Sequence, residues 1–114
     1  MIRVRIKKNR QWSIEVTGHA ESGPMGYDIV CAGVSALTIQ LVNALTELVH
    51  LDRRQCKNRL QSGNAQILVR WDYLSSKAQQ ETELLIKAFG LSMQEMQKAY
   101  PEFVSYHEGG GWNG

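Results

Sequence analysis

Cysteine is scarce in this chain, with two in 114 residues, Cys31 and Cys56. That count excludes a disulfide framework and points to a reduced, cytoplasmic setting. Proline is equally scarce: Pro24 sits in a glycine-rich stretch and Pro101 closes a helical pattern. H-E-x-x-H, C-x-x-C, P-loop and G-x-G-x-x-G patterns are all missing, so neither a metal nor a bound cofactor is expected. The N-terminus has no continuous apolar run, which argues against a signal peptide. Ile29–Leu45 is apolar, but Ser35, Thr38, Gln40 and Asn43 interrupt it. It is expected to be a buried helix, too short to cross a membrane.

What is present fits one ordinary globular domain, 43% hydrophobic and 21% charged, with wholesale disorder excluded. Residues 1–108 are assigned to that domain and 109–114 to a flexible tail. Net charge is only +2, below that of a dedicated nucleic-acid binder. It is unevenly spread, because residues 1–10 hold Arg3, Arg5, Lys7, Lys8 and Arg10 without an acid. Few aromatics are interleaved with these cations, which favours a solvated strand face over an RNA-binding one.

Ile2–Ile6 and Trp12–Val16 alternate apolar with polar residues around an Asn9-Arg10 turn, predicting a hairpin. Asp28 is a suitable N-cap for a helix running to about Val49. That helix is apolar around most of its circumference, so burial on more than one side is expected, against a sheet and a second subunit. Leu51–Leu60 and Ala65–Trp71 predict a second hairpin about Ser62-Gly63-Asn64. A helix from Ser75 or Ser76 is expected to stop at Gly90. Ser92 with Glu95 would cap a short third helix, and Phe103–Tyr106 a last strand. The order β-β-α-β-β-α, with that short C-terminal helix and strand, indicates an α+β fold with an antiparallel sheet built from hairpins.

The chemistry concentrates in residues 18–35. His19 follows Gly18 at the predicted strand end, and Cys31 stands twelve residues later. With Asp28 as cap, Cys31 would be the third helical residue, where free N–H groups and the helix dipole favour a thiolate. A thiolate and an imidazole are the minimum equipment of a nucleophilic cysteine hydrolase. Gly23, Pro24 and Gly26 are expected to make the segment between them an exposed, mobile loop. Ser35 lies at i+4 from Cys31, on the same helical face. Asp28 is read as a cap and not as a third catalytic member, since a carboxylate aimed at the thiol opposes its ionisation. His50 follows the long helix, and His107 lies near the tail.

Gly18-His19-Ala20, followed by Gly26-Tyr27-Asp28-Ile29-Val30-Cys31-Ala32-Gly33-Val34-Ser35, resembles the pattern of the ribosomal-processing cysteine protease family, Prp. The resemblance implies a His19–Cys31 dyad in a cytosolic, homodimeric α+β endopeptidase, with the loop of Gly23, Pro24 and Gly26 acting as a gate that moves to admit substrate. It further implies removal of the N-terminal extension of bacterial ribosomal protein bL27, with a cut after an aromatic residue in an apolar motif. The alternative from another class is a non-catalytic, ribosome-associated module that binds RNA or protein through the basic strands.

Overall fold

Alternation in Ile2-Arg3-Val4-Arg5-Ile6-Lys7 produces strand β1 (Ile2–Lys7), whose aliphatic side chains are buried while its three cations face solvent. Its hairpin partner is β2 (Gln11–Thr17), which buries Trp12, Ile14 and Val16. Helix α1 (Tyr27–Glu47) follows, then a second hairpin of β3 (Cys56–Gln61) and β4 (Asn64–Arg70). A short 3-10 turn, Trp71–Tyr73, leads into α2 (Ser76–Ala99), and β5 (Val104–Gly109) completes the order. The computed structural model describes residues 1–18, 26–61 and 63–109.

The five strands form one sheet in the order β3-β4-β2-β1-β5. The expected α+β class holds, but the sheet is mixed, since β5 lies parallel to β1 and every other pairing is antiparallel. The connection explains it. A parallel neighbour needs a crossover, and α2, about 36 Å long at 1.5 Å per residue, carries the chain to the far edge. Both helices pack on one face of the sheet, and Ile2, Ile14, Ile67, Val34, Leu45, Ile86 and Met93 are among the fully buried side chains of the core between them. Each such side chain contributes about 1.5–3 kcal/mol relative to exposure. Trp12 and Trp71 stack at 3.9 Å between ring centroids, nearly parallel.

Several boundaries differ from expectation. The short third helix does not exist as a separate element, because α2 runs through Gly90 and Ser92 to Ala99. Burial of Phe89 and Met93 against the core outweighs the roughly 1 kcal/mol that a mid-helix glycine costs. Ser75, not Ser76, caps α2, accepting from the Ala78 N–H at 3.1 Å. Strand β3 starts only at Cys56, because Asp52 Oδ1 accepts from the N–H groups of Arg54 and Gln55 and holds a turn there. Strand β5 runs past the expected Tyr106 through His107 to Gly109, the first residue assigned from sequence to the tail; residues 110–114 lie outside the described residues. Helix α1 has 21 residues, long and apolar enough by those criteria alone to cross a bilayer. It instead lays a Val30-Val34-Leu41-Leu45 stripe into the core and leaves Ile29, Ile39 and Leu48 exposed.

Gly90 has a packing reason. A Cβ there would lie 2.7 Å from the Tyr106 hydroxyl, which donates to Glu108 Oε1 at 2.7 Å. Glu108 in turn pairs with Lys8 at 2.6 Å, and Lys8 above all holds its carboxyl below the ordinary range. Helix propensity alone would make Gly90→Ala stabilising by about 1 kcal/mol. The expected result is a loss of about 1–2 kcal/mol, because the Tyr106 ring must be displaced from its bonds. Urea midpoints decide between these, and a gain in stability would mean that Tyr106 swings aside freely.

Candidate functional site

Helix α1 does not begin where the sequence suggested. Its N-cap is Gly26, in the left-handed conformation at φ 92°, without a side-chain cap bond. Asp28 is therefore not the cap: it is an exposed residue of the first turn, still at the positive end of the dipole. Left-handed backbone is readily accessible to glycine, so Gly26 starts the helix two residues earlier. The first helical bond runs from the Val30 N–H to the Gly26 carbonyl at 3.2 Å. Cys31 is consequently the fifth helical residue, just past the turn where the dipole acts most strongly.

Cys31 is a free, half-buried thiol. It opens onto a cleft of about 350 Å³ that it shares with Ser35, Ile39, Leu60, Gln61 and Ala65, among others. Ser35 is thus on the Cys31 side of the helix, as the i+4 spacing requires. Thr38, also at the cleft, donates its hydroxyl to the Val34 carbonyl at 2.8 Å. Leu60 and Ala65 are register partners across β3 and β4, so the sheet edge forms the wall opposite α1. Sequence reasoning missed this wall. Its one signal was Leu60, an apolar residue in an otherwise charged and polar strand.

Tyr27 was also missed. Its hydroxyl donates to the Gly18 carbonyl at 2.8 Å, and its buried ring meets Phe103 edge-on at 5.4 Å. Tyr27 lies one turn before Cys31 on the same helix, and Gly18 is the residue immediately before His19 in the chain. The tether therefore fastens the end of β2 to the helix that carries the thiol. His19 itself, with Gly23 and Pro24 of the expected gating loop, lies outside the described residues. The other two histidines are placed away from the cleft. His107 pairs in register with Arg5 on the sheet face opposite the helices. His50 follows the far end of α1, about 24 Å along the axis from Cys31.

Cys56 contrasts with Cys31. It is buried, and burial pushes its thiol up to about 11 from an ordinary 9.0. Iodoacetamide at neutral pH should therefore label Cys31 in the folded protein and leave Cys56 untouched until denaturant is added. Since its folded value is raised, Cys56 contributes stability that is complete below pH 9 and is lost as pH rises toward about 11. A urea midpoint that stays flat between pH 9 and 11 would contradict this. Labelling at both thiols in the folded state would contradict the assigned contrast.

A family model described as cysteine protease Prp matches residues 1–105. Ribosomal processing cysteine protease Prp of Bacillus subtilis (strain 168) is 29% identical over 105 residues, covering 90% of this chain and 92% of the relative. The crystal structure of SMU.848 from Streptococcus mutans superposes with a TM-score of 0.75 at 34% identity, covering 96% of this chain and 95% of the other. The essential ribosomal processing protease Prp from S. aureus, in complex with a substrate peptide, has a TM-score of 0.78 at 26% identity, over 95% and 99% of the two chains. The same protein with a covalently linked product peptide gives a TM-score of 0.70.

Proposed function

This chain belongs to the cysteine protease Prp family, and from that premise we propose that it is a processing endopeptidase which removes the N-terminal extension of ribosomal protein bL27. The observation that carries the reading is the meeting of a half-buried thiol, an apolar cleft and the Tyr27–Gly18 tether at one end of α1. Membership of a protease family sets aside the non-catalytic alternative.

In this mechanism His19 takes the proton from the Cys31 thiol, and the sulfur attacks the carbonyl carbon of the scissile peptide bond. The carbonyl oxygen becomes an oxyanion. Helix N–H groups ahead of the Val30–Gly26 bond are its donors, being the orphan amides of a helix start. Collapse of that intermediate breaks the C–N bond, and His19 passes its proton to the leaving amine. Water, deprotonated by the same imidazole, then hydrolyses the thioester and restores the thiol.

The mainly apolar cleft accommodates the apolar motif before the cut, which covers Ile39 and Leu60, each a little under half exposed. Gly23, Pro24 and Gly26 belong to the segment that admits substrate. The protein works as a cytoplasmic homodimer: a second copy covers the outward face of α1, where Ala36, Gln40, Ala44 and Leu48 line a shallow, mainly apolar depression. Burying that face answers the helix's all-round apolarity, which one domain leaves half satisfied.

The test is incubation with the N-terminal peptide of the host's own bL27, followed by mass analysis. One cut after an aromatic residue is expected. An intact bL27 peptide alongside cleavage of unrelated apolar peptides would overturn the substrate, and no cleavage of any peptide would overturn the mechanism.

A further inference from the structure

The sheet has a second face, and among the described residues nothing packs on it. We propose that this open face is an RNA-docking surface that holds the backbone of double-helical RNA while the opposite side of the molecule handles peptide. Arg3, Arg5 and Lys7 project from it on β1, and Lys57, Arg59 and Arg70 on β3 and β4. Against these six cations the strands present a single carboxylate on this face among the described residues, Glu15. The helix layer carries the opposite bias: Asp28, Glu47, Glu81, Glu83 and Glu95 against Lys77, Lys87 and Lys98. A net charge of +2 thus conceals a molecule with one basic side.

Strand register gives the basic side a definite layout. One row across it reads His107, Arg5, Glu15, Gln66, Arg59, and the next reads Lys7, Ser13, Leu68, Lys57. Five of the six cations therefore stand in two lines, on β1 and on β3, and the sixth, Arg70, lies at the end of β4. These lines are three strand spacings, about 14 Å, apart. Between them runs a shallow trough whose polar side chains include Ser13, Thr17 and Gln66. Glu15 is held within the trough, accepting from the Gln66 amide at 3.4 Å. Both ion pairs found among the described residues, Lys8–Glu108 and Lys98–Glu95, lie elsewhere, so the two lines of cations are not neutralised by carboxylates.

Two cationic lines flanking a shallow polar trough match the wide, shallow minor groove of an A-form helix, with one phosphate chain along each line and 2′-hydroxyls over the trough. A single strand fits less well. Among the described residues the strands place no exposed aromatic on this face as a platform for base stacking; Tyr73, just beyond β4, is already covered by Arg70 and Arg54 at 5.1 and 5.9 Å. The choice of RNA over DNA rests on the ribosomal-processing reading, whereas the charge layout does not.

The test uses fluorescence anisotropy with a mixed-sequence 20-base-pair RNA duplex at 50 and 200 mM salt. Contact with about five phosphates predicts a loss of affinity of roughly 10²–10³-fold between these concentrations. The double variant Arg5→Gln/Arg59→Gln should flatten the slope of log affinity against log salt by about two. The helix-layer control Lys87→Gln/Lys98→Gln should leave it unchanged. Equal melting temperatures keep folding out of the comparison, and hydrolysis of a free peptide should be unaffected in both variants. Absence of binding at 50 mM salt would overturn the proposal, as would a normal slope in the sheet-face variant. Equal binding of poly(U), of a DNA duplex, or of an acidic polyglutamate would each overturn the assignment to duplex RNA. Binding that meets these criteria in a protein that cleaves no peptide would leave the docking surface standing and sink only the protease reading.

Discussion

With Cys31 replaced by alanine, hydrolysis of the bL27 peptide falls by at least about 10³-fold, as loss of a covalent nucleophile does in other hydrolases. Stability changes by less than about 1 kcal/mol, since only a half-exposed sulfur is removed from the margin of the core. His19→Ala should lose activity to a similar degree, and the double variant should be scarcely worse than either single one. Residues that act as one unit are grossly non-additive. Initial rates by chromatography of the cleaved peptide, with melting curves on the same samples, settle the matter. A Cys31→Ala protein that cleaves at the parental rate refutes the thiol mechanism. Multiplicative losses from Cys31 and His19 would show that the two do not work as a dyad.

The largest stability effect is expected at Gly18. Its φ is +88°, a conformation that side chains rarely adopt, and a Cβ there would drive into the carbonyl group of Met1. The obstacle is backbone that leads directly into β1, whose first residue, Ile2, is held by its N–H bond to the Phe103 carbonyl. Strain of this kind costs on the order of 1–3 kcal/mol, and the clash adds to it. Gly18→Ala should therefore destabilise by about 3 kcal/mol or more, lowering the melting temperature by roughly 10–15 °C. Gly26→Ala is the matched comparison. Its φ is +92°, yet nothing lies within 4 Å of the added carbon, so only the conformational cost of about 1–2 kcal/mol remains. Equal losses at the two positions would show that the β1 backbone yields after all.

Much of this architecture was legible in the residues. Strict alternation in β1 and β2 fixed which side chains face the helices, because a strand's period of two leaves one register that buries every aliphatic residue. Helical spacing likewise put Ser35 beside Cys31. The parts that were not legible depend on contacts from far along the chain. No periodicity tells β5 to lie beside β1. Gly90 reads as a stop until Tyr106 is seen lying against it. Asp28 has the chemistry of a cap, but Gly26 accepts the left-handed backbone that starts the helix earlier. At the site, the thiol and Ser35 could be found locally, whereas Leu60 and the Tyr27–Gly18 bond needed the sheet to close.

That parallel partnership sets an order of assembly. Residue 2 pairs with residue 104, so the first strand of this sheet to be made waits for the last of its five. The β1–β2 hairpin can form early, yet its outer edge stays unsatisfied while the intervening hundred or so residues are made, at about 5–20 residues per second. An open strand edge is a template for another chain, and the non-local closure that ends the exposure is intrinsically slow. Alternate cations along β1 then have a use before the protein is folded: Arg3, Arg5 and Lys7 repel the same stretch on a neighbouring nascent chain during the interval when that edge is bare.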